Sequence, residues 1–126
     1  MDLTHFDQDG NAWMVDVSNK DITTRTAVAE GFIAINDAIY ERIGAGTIKK
    51  GDVLSVAQLA AIMGAKQTSN LIPLCHPLAL TKVEVHCTLV DGESPACTDA
   101  THNRAVKVRA TVKTTGKTGV EMEALT

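Results

Sequence analysis

Cys75 and His76 are the residues whose types and setting most favour chemistry, because Pro73 and Pro77 enclose them. Proline fixes its own φ and restricts the residue before it, so Leu74-Cys75-His76 is predicted to form a rigid, non-helical turn. An imidazole titrates near neutral pH and can act as a general acid or base. The alternatives are a structural hydrogen bond for His76 and a buried, unreactive thiol for Cys75.

Two lysines lie where a phosphate could bind, and two further cations lie in largely apolar segments. Lys50 and Lys117 each precede a predicted helix N-terminus, where free N–H groups and the helix dipole attract anions. Arg25 lies in a largely apolar predicted strand, and Lys66 ends a largely apolar predicted helix. A charge in such surroundings usually needs a partner. The alternative for Lys50 and for Lys117 is an ordinary solvated surface lysine.

Two carboxylates, Glu121 and Glu123, flank Met122. Side chains two residues apart on a helix do not face each other, so at most one of the two is predicted to point into any given pocket. Glu121 also stands three residues after Thr118, the spacing of a capping box, and could simply cap the helix.

A metal site is poorly supported by the spacing of the possible ligands. No pair of them has the Cys-x2–4-Cys spacing of common structural zinc sites. We therefore predict no metal, and a zinc-dependent hydrolase using Cys75 and His76 stays a minor alternative. The possible ligands are Cys75, Cys87, Cys97, His86 and His102.

Composition limits the class of protein. The 126 residues are enough for one domain with its own core, and 44% apolar and 21% charged residues are typical of a soluble globular chain. A net charge of −3 argues against nucleic acid as a partner. No apolar run is long enough to span a membrane, and no secretory signal is visible. Three cysteines at unrelated spacings favour a reducing cytoplasm.

Hydrophobic periodicity predicts an α+β fold, an antiparallel sheet with helices packed on one face. Strands are predicted over 13–18, 23–35, 82–89 and 106–113, with a long loop over 91–103 between the last two. The strand over 23–35 is apolar on both faces, which suits a strand covered on both sides or lying in a subunit contact.

Three helices are predicted. One spans 37–43 and stops at Gly44, and a second spans 53–63 with Asp52 as its N-cap. The second is apolar around most of its circumference and should be well buried. A third begins at Thr118.

Six segments carry a family resemblance in a fixed order. They are Met14-Val-Asp-Val-Ser18, Lys50-Gly-Asp-Val53, Ala65-Lys-Gln-Thr68, Leu71-Ile-Pro-Leu-Cys-His-Pro-Leu78, Lys82-Val-Glu-Val85 and Thr118-Gly-Val-Glu-Met-Glu-Ala-Leu-Thr126. The chain from Met14 onward resembles the molybdenum cofactor biosynthesis protein C family, the cyclic pyranopterin monophosphate synthases. The fourth and sixth segments together are highly specific.

The resemblance implies a ferredoxin-like arrangement within the α+β class and a homohexamer built as a trimer of dimers, with active sites at subunit contacts. It implies a small-molecule substrate, (8S)-3′,8-cyclo-7,8-dihydroguanosine 5′-triphosphate, which is rearranged to cyclic pyranopterin monophosphate with loss of pyrophosphate. No cofactor is implied for this step.

The resemblance also implies a set of site residues. Substrate-binding residues would be Leu74, Cys75, His76, Met122 and Glu123, together with Glu121 from the same segment. His76 and Lys50 would act in catalysis, and Arg25 and Lys66 would bind phosphate.

Family members continue beyond the Ala-Leu-Thr that ends this sequence. The continuation carries an Asp and a Lys assigned to catalysis and then a Gly/Lys-rich tail. We expect a single domain. Either the sequence covers only part of a longer protein, or the chain is truncated and lacks that C-terminal helix and tail. For a chain truly truncated there, the alternative function is that of a non-catalytic nucleotide- or pterin-binding oligomer.

Overall fold

A three-stranded antiparallel sheet forms the centre of the computed structural model, which describes residues 6–46, 51–92 and 103–126. Its strands are β1 (Thr23–Ala34), β2 (Leu80–Asp91) and β3 (Arg104–Gly116), in the order β1-β3-β2. The helices are α1 (Asp37–Ala45), α2 (Val53–Lys66), α3 (Thr68–Leu71) and α4 (Glu121–Leu125). The predicted α+β class is confirmed. None of these helices is long and apolar enough to cross a membrane.

One face of the sheet carries the core. Val112 at the centre of β3 is fully buried and pairs with Ala27 on β1 and Val83 on β2. Because side chains alternate across a strand, all three point to the same face. Ala65 of α2 and Ala124 of α4 pack there, together with Val120. The helices that contribute to this core therefore cover one face, as predicted.

The opposite face of the sheet, called here the open face, is lined by charged residues. Glu30 on β1 lies 3.3 Å from the Lys107 Nζ and 3.0 Å from the Arg109 Nη1, both on β3. Alternate residues of β2 also point there, and over 82–88 they are polar. Within the described chain, β1 is covered on one side rather than on both.

Local capping sets the starts of α1 and α2. The Asn36 side chain accepts a hydrogen bond from the Ile39 N–H, and the predicted N-cap Asp52 accepts from the N–H groups of Leu54 and Ser55. The helix α1 ends at Gly46, whose φ of 69° lies in the left-handed region that favours glycine. The predicted stop at Gly44 was two residues too early.

The prediction that the second helix is well buried is wrong for the single chain. Val56, Leu59 and Met63 of α2 are each 59–60% exposed. Their spacing of three to four residues places them on one side of the helix, while the opposite side faces the sheet through small residues such as Ala65. One sheet face can cover only one side of a helix, so the second apolar side stays open.

The predicted strand over 13–18 is also wrong. These residues form no ladder with β1, β2 or β3. Val15 and Val17 are half-buried between exposed neighbours, so the alternation was real, but it reflects contact without strand pairing. The Asp16 side chain accepts a hydrogen bond from the Ser18 N–H and turns the chain there.

The predicted capping box at Thr118 does not form. The helix α4 begins at Glu121, Val120 occupies the N-cap position, and no side chain caps it. The Thr118 hydroxyl donates to the Gly119 carbonyl instead. The Val120 side chain is almost fully buried and packs in the core at this N-cap position.

Two predictions fall on residues that the structure does not describe. Lys50 lies outside the described residues, as do positions 93–102 of the predicted loop. The two ends of that loop are joined, because the Gly92 N–H donates to the Asn103 carbonyl. This pairing closes the β2–β3 hairpin.

Candidate active site

The turn at 74–76 and the short helix α4 face each other across a cavity of about 240 Å³, called here the turn pocket. Leu74, Cys75 and His76 form one wall, and all three are half-buried. They are non-helical, as the flanking prolines predicted. The opposite wall consists of Glu121, Met122 and Glu123. Two segments far apart in sequence therefore form one concave surface.

A smaller cavity of about 90 Å³, called here the lysine cavity, adjoins the turn pocket. Lys66 at the C-terminal end of α2 lines one side of it, together with Thr68 and Ser69 of α3. His76 and Glu123 line both cavities. The structure thus brings Lys66 into the neighbourhood of the turn, and the combined surface offers a cation, an imidazole and carboxyl groups to a ligand.

The Cys75 thiol is a poor nucleophile in this setting. Burial raises its pKa, and the negative charge of Glu123 raises it further. Because the thiolate is the reactive form of cysteine, both effects keep Cys75 in its unreactive, protonated form. Cys75 is therefore suited to be a wall of the pocket.

The two glutamates of α4 have different environments. Glu123 is 6% exposed, and burial raises the pKa of its carboxyl, to which the charge of Glu121 adds. Glu121 is exposed, and its carboxylate folds back into the space that a Cβ at position 119 would need. Both nevertheless line the turn pocket, so the prediction that only one could do so is wrong. A helix of one turn lets its first side chain fold back over the preceding glycine.

Arg25 is separate from these cavities. It lies on the core face of β1 opposite Thr114, and neither the turn pocket nor the lysine cavity includes it. Its Nε is buried and has no hydrogen-bond partner within the described residues. A buried donor without a partner is costly, so this guanidinium is suited to receive an acceptor from outside the described chain.

Lys117 does not stand at a helix N-terminus, because α4 starts four residues later. Its Nζ donates to the Ser18 carbonyl at 3.1 Å and so holds the segment around Asp16 against the end of β3. The pKa of Asp16 is lowered by the hydrogen bond from the Ser18 N–H and further by the positive charges of His76 and Lys117.

Asp16 is thus an acidic neighbour of the site that sequence reasoning did not single out. The signal was available, since Asp16 is the central residue of the segment Met14-Val-Asp-Val-Ser18.

Metal ligands are not brought together in the described part of the chain. Among those residues, no group of three or more His, Cys, Asp or Glu side chains could hold a metal ion. Cys75 and Cys87 are free thiols, and Cys87 is buried within β2. Cys97 and His102 lie outside the described residues.

An antiparallel sheet with helices on one face and a partly enclosed polar cavity defines an α+β protein with a site for a small molecule. The chain belongs to the MoaC family, whose sequence pattern matches residues 14–126.

Curated relatives cover nearly the whole chain. A protein of Staphylococcus aureus (strain bovine RF122 / ET3-1) is 51% identical over 125 residues, which are 99% of this chain and 72% of that protein. A protein of Halalkalibacterium halodurans is also 51% identical over 125 residues, 99% of this chain and 71% of its own length. Both are named cyclic pyranopterin monophosphate synthase.

Proposed function

We propose that this chain is a cyclic pyranopterin monophosphate synthase, a lyase of molybdenum cofactor biosynthesis. It converts (8S)-3′,8-cyclo-7,8-dihydroguanosine 5′-triphosphate to cyclic pyranopterin monophosphate and pyrophosphate. The observation that carries the proposal is the identity of 51% to synthases over 99% of the chain. The convergence of the two most specific sequence segments on the turn pocket supports it.

The residues of the cavities take roles that match their settings. Leu74, Cys75 and Met122 provide walls against the ring system, and His76 moves protons at the reacting end. Lys66 in the adjoining cavity binds the phosphate chain, since a triphosphate needs clustered cations.

In the same proposal, Arg25 is a phosphate ligand. Lys50 acts as an acid or base or binds a phosphate. The unpartnered Nε of Arg25 supports its role. For Lys50, which the structure does not describe, the support is its place in the segment Lys50-Gly-Asp-Val53. Glu121 and Glu123 contact the substrate from the α4 wall.

The proposal includes a ferredoxin-like arrangement, a single domain, a homohexamer of three dimers and a cytoplasmic location. The apolar side of α2 at Val56, Leu59 and Met63 supports the assembly, because three large side chains at about 60% exposure favour burial against another surface.

Light scattering coupled to size-exclusion chromatography tests the proposed assembly. Leu59→Asp should reduce the mass from about six chains towards fewer, and a wild-type protein that is monomeric at micromolar concentration would contradict the assembly.

The activity is tested by measuring pyrophosphate release from the cyclised dihydro-GTP. We expect release by the wild type and its loss in Lys50→Ala, with Lys82→Ala as the matched control. Lys82 pairs with Glu84 on the open face, so its removal should leave the rate unchanged. Tight binding of the substrate without any release by the wild type would instead favour a non-catalytic binding protein.

A further inference from the structure

We infer that Glu123 is the general acid of the proposed reaction and that His76 serves it as the complementary base. Glu123 holds a proton on its carboxyl before the substrate binds and delivers it during ring opening. The inference rests on the proposed function and assigns one step of it to named atoms. It is carried by the position of Glu123 in the fold.

Glu123 lies where three cavities meet. It lines the turn pocket and the lysine cavity, and also a third cavity of about 210 Å³ between α2, α4 and the sheet. That third cavity is lined mainly by small apolar side chains such as Ala29, Ala61 and Val108. Glu123 therefore borders the proposed substrate cavities on one side and apolar side chains on the other. Apolar surroundings favour the neutral form of a carboxylic acid.

No partner neutralises Glu123 within the described chain. It forms no ion pair there and no hydrogen bond with another side chain, although it is 6% exposed. Its carboxylate accepts a hydrogen bond from its own backbone N–H, which lowers its pKa by less than burial raises it. Glu30, by contrast, is shared between Lys107 and Arg109. Ionising a buried carboxyl group that has no cation beside it costs free energy. The carboxyl of Glu123 therefore keeps its proton until the substrate provides an acceptor.

The charged groups around Glu123 differ in sign. The negative charge of Glu121 on its own helix raises the pKa of Glu123, and Cys75 from the turn is a thiol whose own pKa is raised. Lys66 and His76 share the lysine cavity with Glu123 without pairing to it.

On the strands that pack against α4, Arg25 of β1 also belongs to the core face, and β3 contributes apolar residues and the buried Thr114. No cation on these elements makes an ion pair that would hold Glu123 ionised.

The proton balance closes without another reactant. When a ring C–N bond of the substrate breaks, its electron pair stays on the departing nitrogen, which forms an N–H bond as the O–H bond of Glu123 breaks. The carbon is left electron-deficient, and when the ring closes again the attacking group bonds to that carbon and loses its proton to the His76 imidazole. One proton is given and one is taken, and transfer from His76 back to Glu123 after product release restores the starting state.

The experiment compares Glu123→Gln with wild type over pH 5 to 9, measuring pyrophosphate release and substrate affinity separately. Gln keeps the shape and a hydrogen-bond donor but cannot titrate. We expect kcat to fall by about 100-fold or more, affinity to change by less than about 5-fold, and the alkaline limb of the pH profile to disappear. Glu84→Gln, on the open face, is the matched control and should behave as wild type.

Each result decides the inference. A Glu123→Gln enzyme with wild-type kcat overturns it, and so does one that loses affinity yet keeps the alkaline limb, because Glu123 would then be a contact only. If the variant fails to fold, carbon-13 NMR titration of the wild-type carboxyl decides, and a pKa at or below that of free glutamate overturns it. A wild type that releases no pyrophosphate refutes the proposed function, whereas the NMR titration still reports on Glu123.

Discussion

The open face of the sheet and the turn pocket place the same residue types in opposite environments. On the open face, Glu84 lies 3.0 Å from the Lys82 Nζ and 2.9 Å from the His86 Nε2. Hydrogen bonds from His86 and then Lys82 lower the pKa of the Glu84 carboxyl. In the turn pocket, Glu123 has no such partners among the residues that the structure describes, and burial raises its pKa. Two carboxyls in one chain are thus shifted in opposite directions.

This difference in pKa shift distinguishes carboxyl groups that are paired with cations at the surface from a buried carboxyl group that can take part in proton transfer. Exposed ion pairs are screened by water and contribute little to stability, so the open face chiefly keeps its charges satisfied in solvent. A buried titratable group without a partner costs stability, and groups with perturbed pKa values cluster at functional sites. The four predictions that follow test this contrast, from the largest expected effect to the smallest.

His76→Ala should lower the rate of pyrophosphate release by about 100-fold or more, since positioned acid–base groups contribute on this scale. His86→Ala removes the same side chain from the open face, where it bonds Glu84, and should change the rate by less than about 2-fold. Steady-state kinetics on the cyclised dihydro-GTP measure both. Equal effects of the two substitutions would erase the distinction between the pocket and the open face.

Lys66→Ala should raise KM by about 10-fold, because a charged hydrogen bond to a phosphate contributes about 1.5 kcal/mol or more. The value of kcat should change less. Lys82→Ala is the control from the open face. An unchanged KM in Lys66→Ala would mean that the lysine cavity does not receive the phosphates.

Val112→Ala should lower the free energy of unfolding by about 2 kcal/mol, since it leaves a void where the core has no exposure. Val28→Ala, 50% exposed on the open face, should cost less than about 0.5 kcal/mol. Urea denaturation measures both. A comparable loss in Val28→Ala would indicate that the open face of β1 is covered in the assembled protein, as a subunit contact would require.

The pH dependence of stability should differ in sign between the buried carboxyl of Glu123 and the ion-paired carboxyl of Glu30. Glu123 has a raised pKa, so it binds its proton more tightly folded than unfolded. It therefore favours the folded state below its unfolded pKa, and this contribution is lost as pH rises to its folded pKa. Glu123→Gln should flatten that decline.

Glu30 has a lowered pKa, mainly because its carboxylate accepts a hydrogen bond from the Lys107 ammonium, and its contribution to stability is lost as pH falls through its folded pKa. Glu30→Gln should flatten the acid side instead. Thermal melts from pH 3 to 8 measure both variants, and the same sign for the two would contradict the assignment of their environments.

Sequence periodicity predicted the strands that lie in the sheet and the helix capped by Asp52, because alternation and capping are local properties. It failed over 13–18, where Val15 and Val17 are half-buried between exposed neighbours but pair with no strand of the sheet. It also failed on the burial of α2, since an apolar circumference does not say how many surfaces are available to cover it.

The site divides in the same way. The order of the residues by itself determined the proline-bounded turn at 74–76, the short final helix and the family they indicate. Tertiary structure alone decided that these two segments face each other and that Glu123 is buried while Glu121 is exposed. It also placed Asp16 close enough to His76 for the charge of His76 to lower the pKa of Asp16. The reason is physical: local chain geometry follows from neighbouring residues, whereas burial and electrostatic pairing depend on residues that only folding brings together.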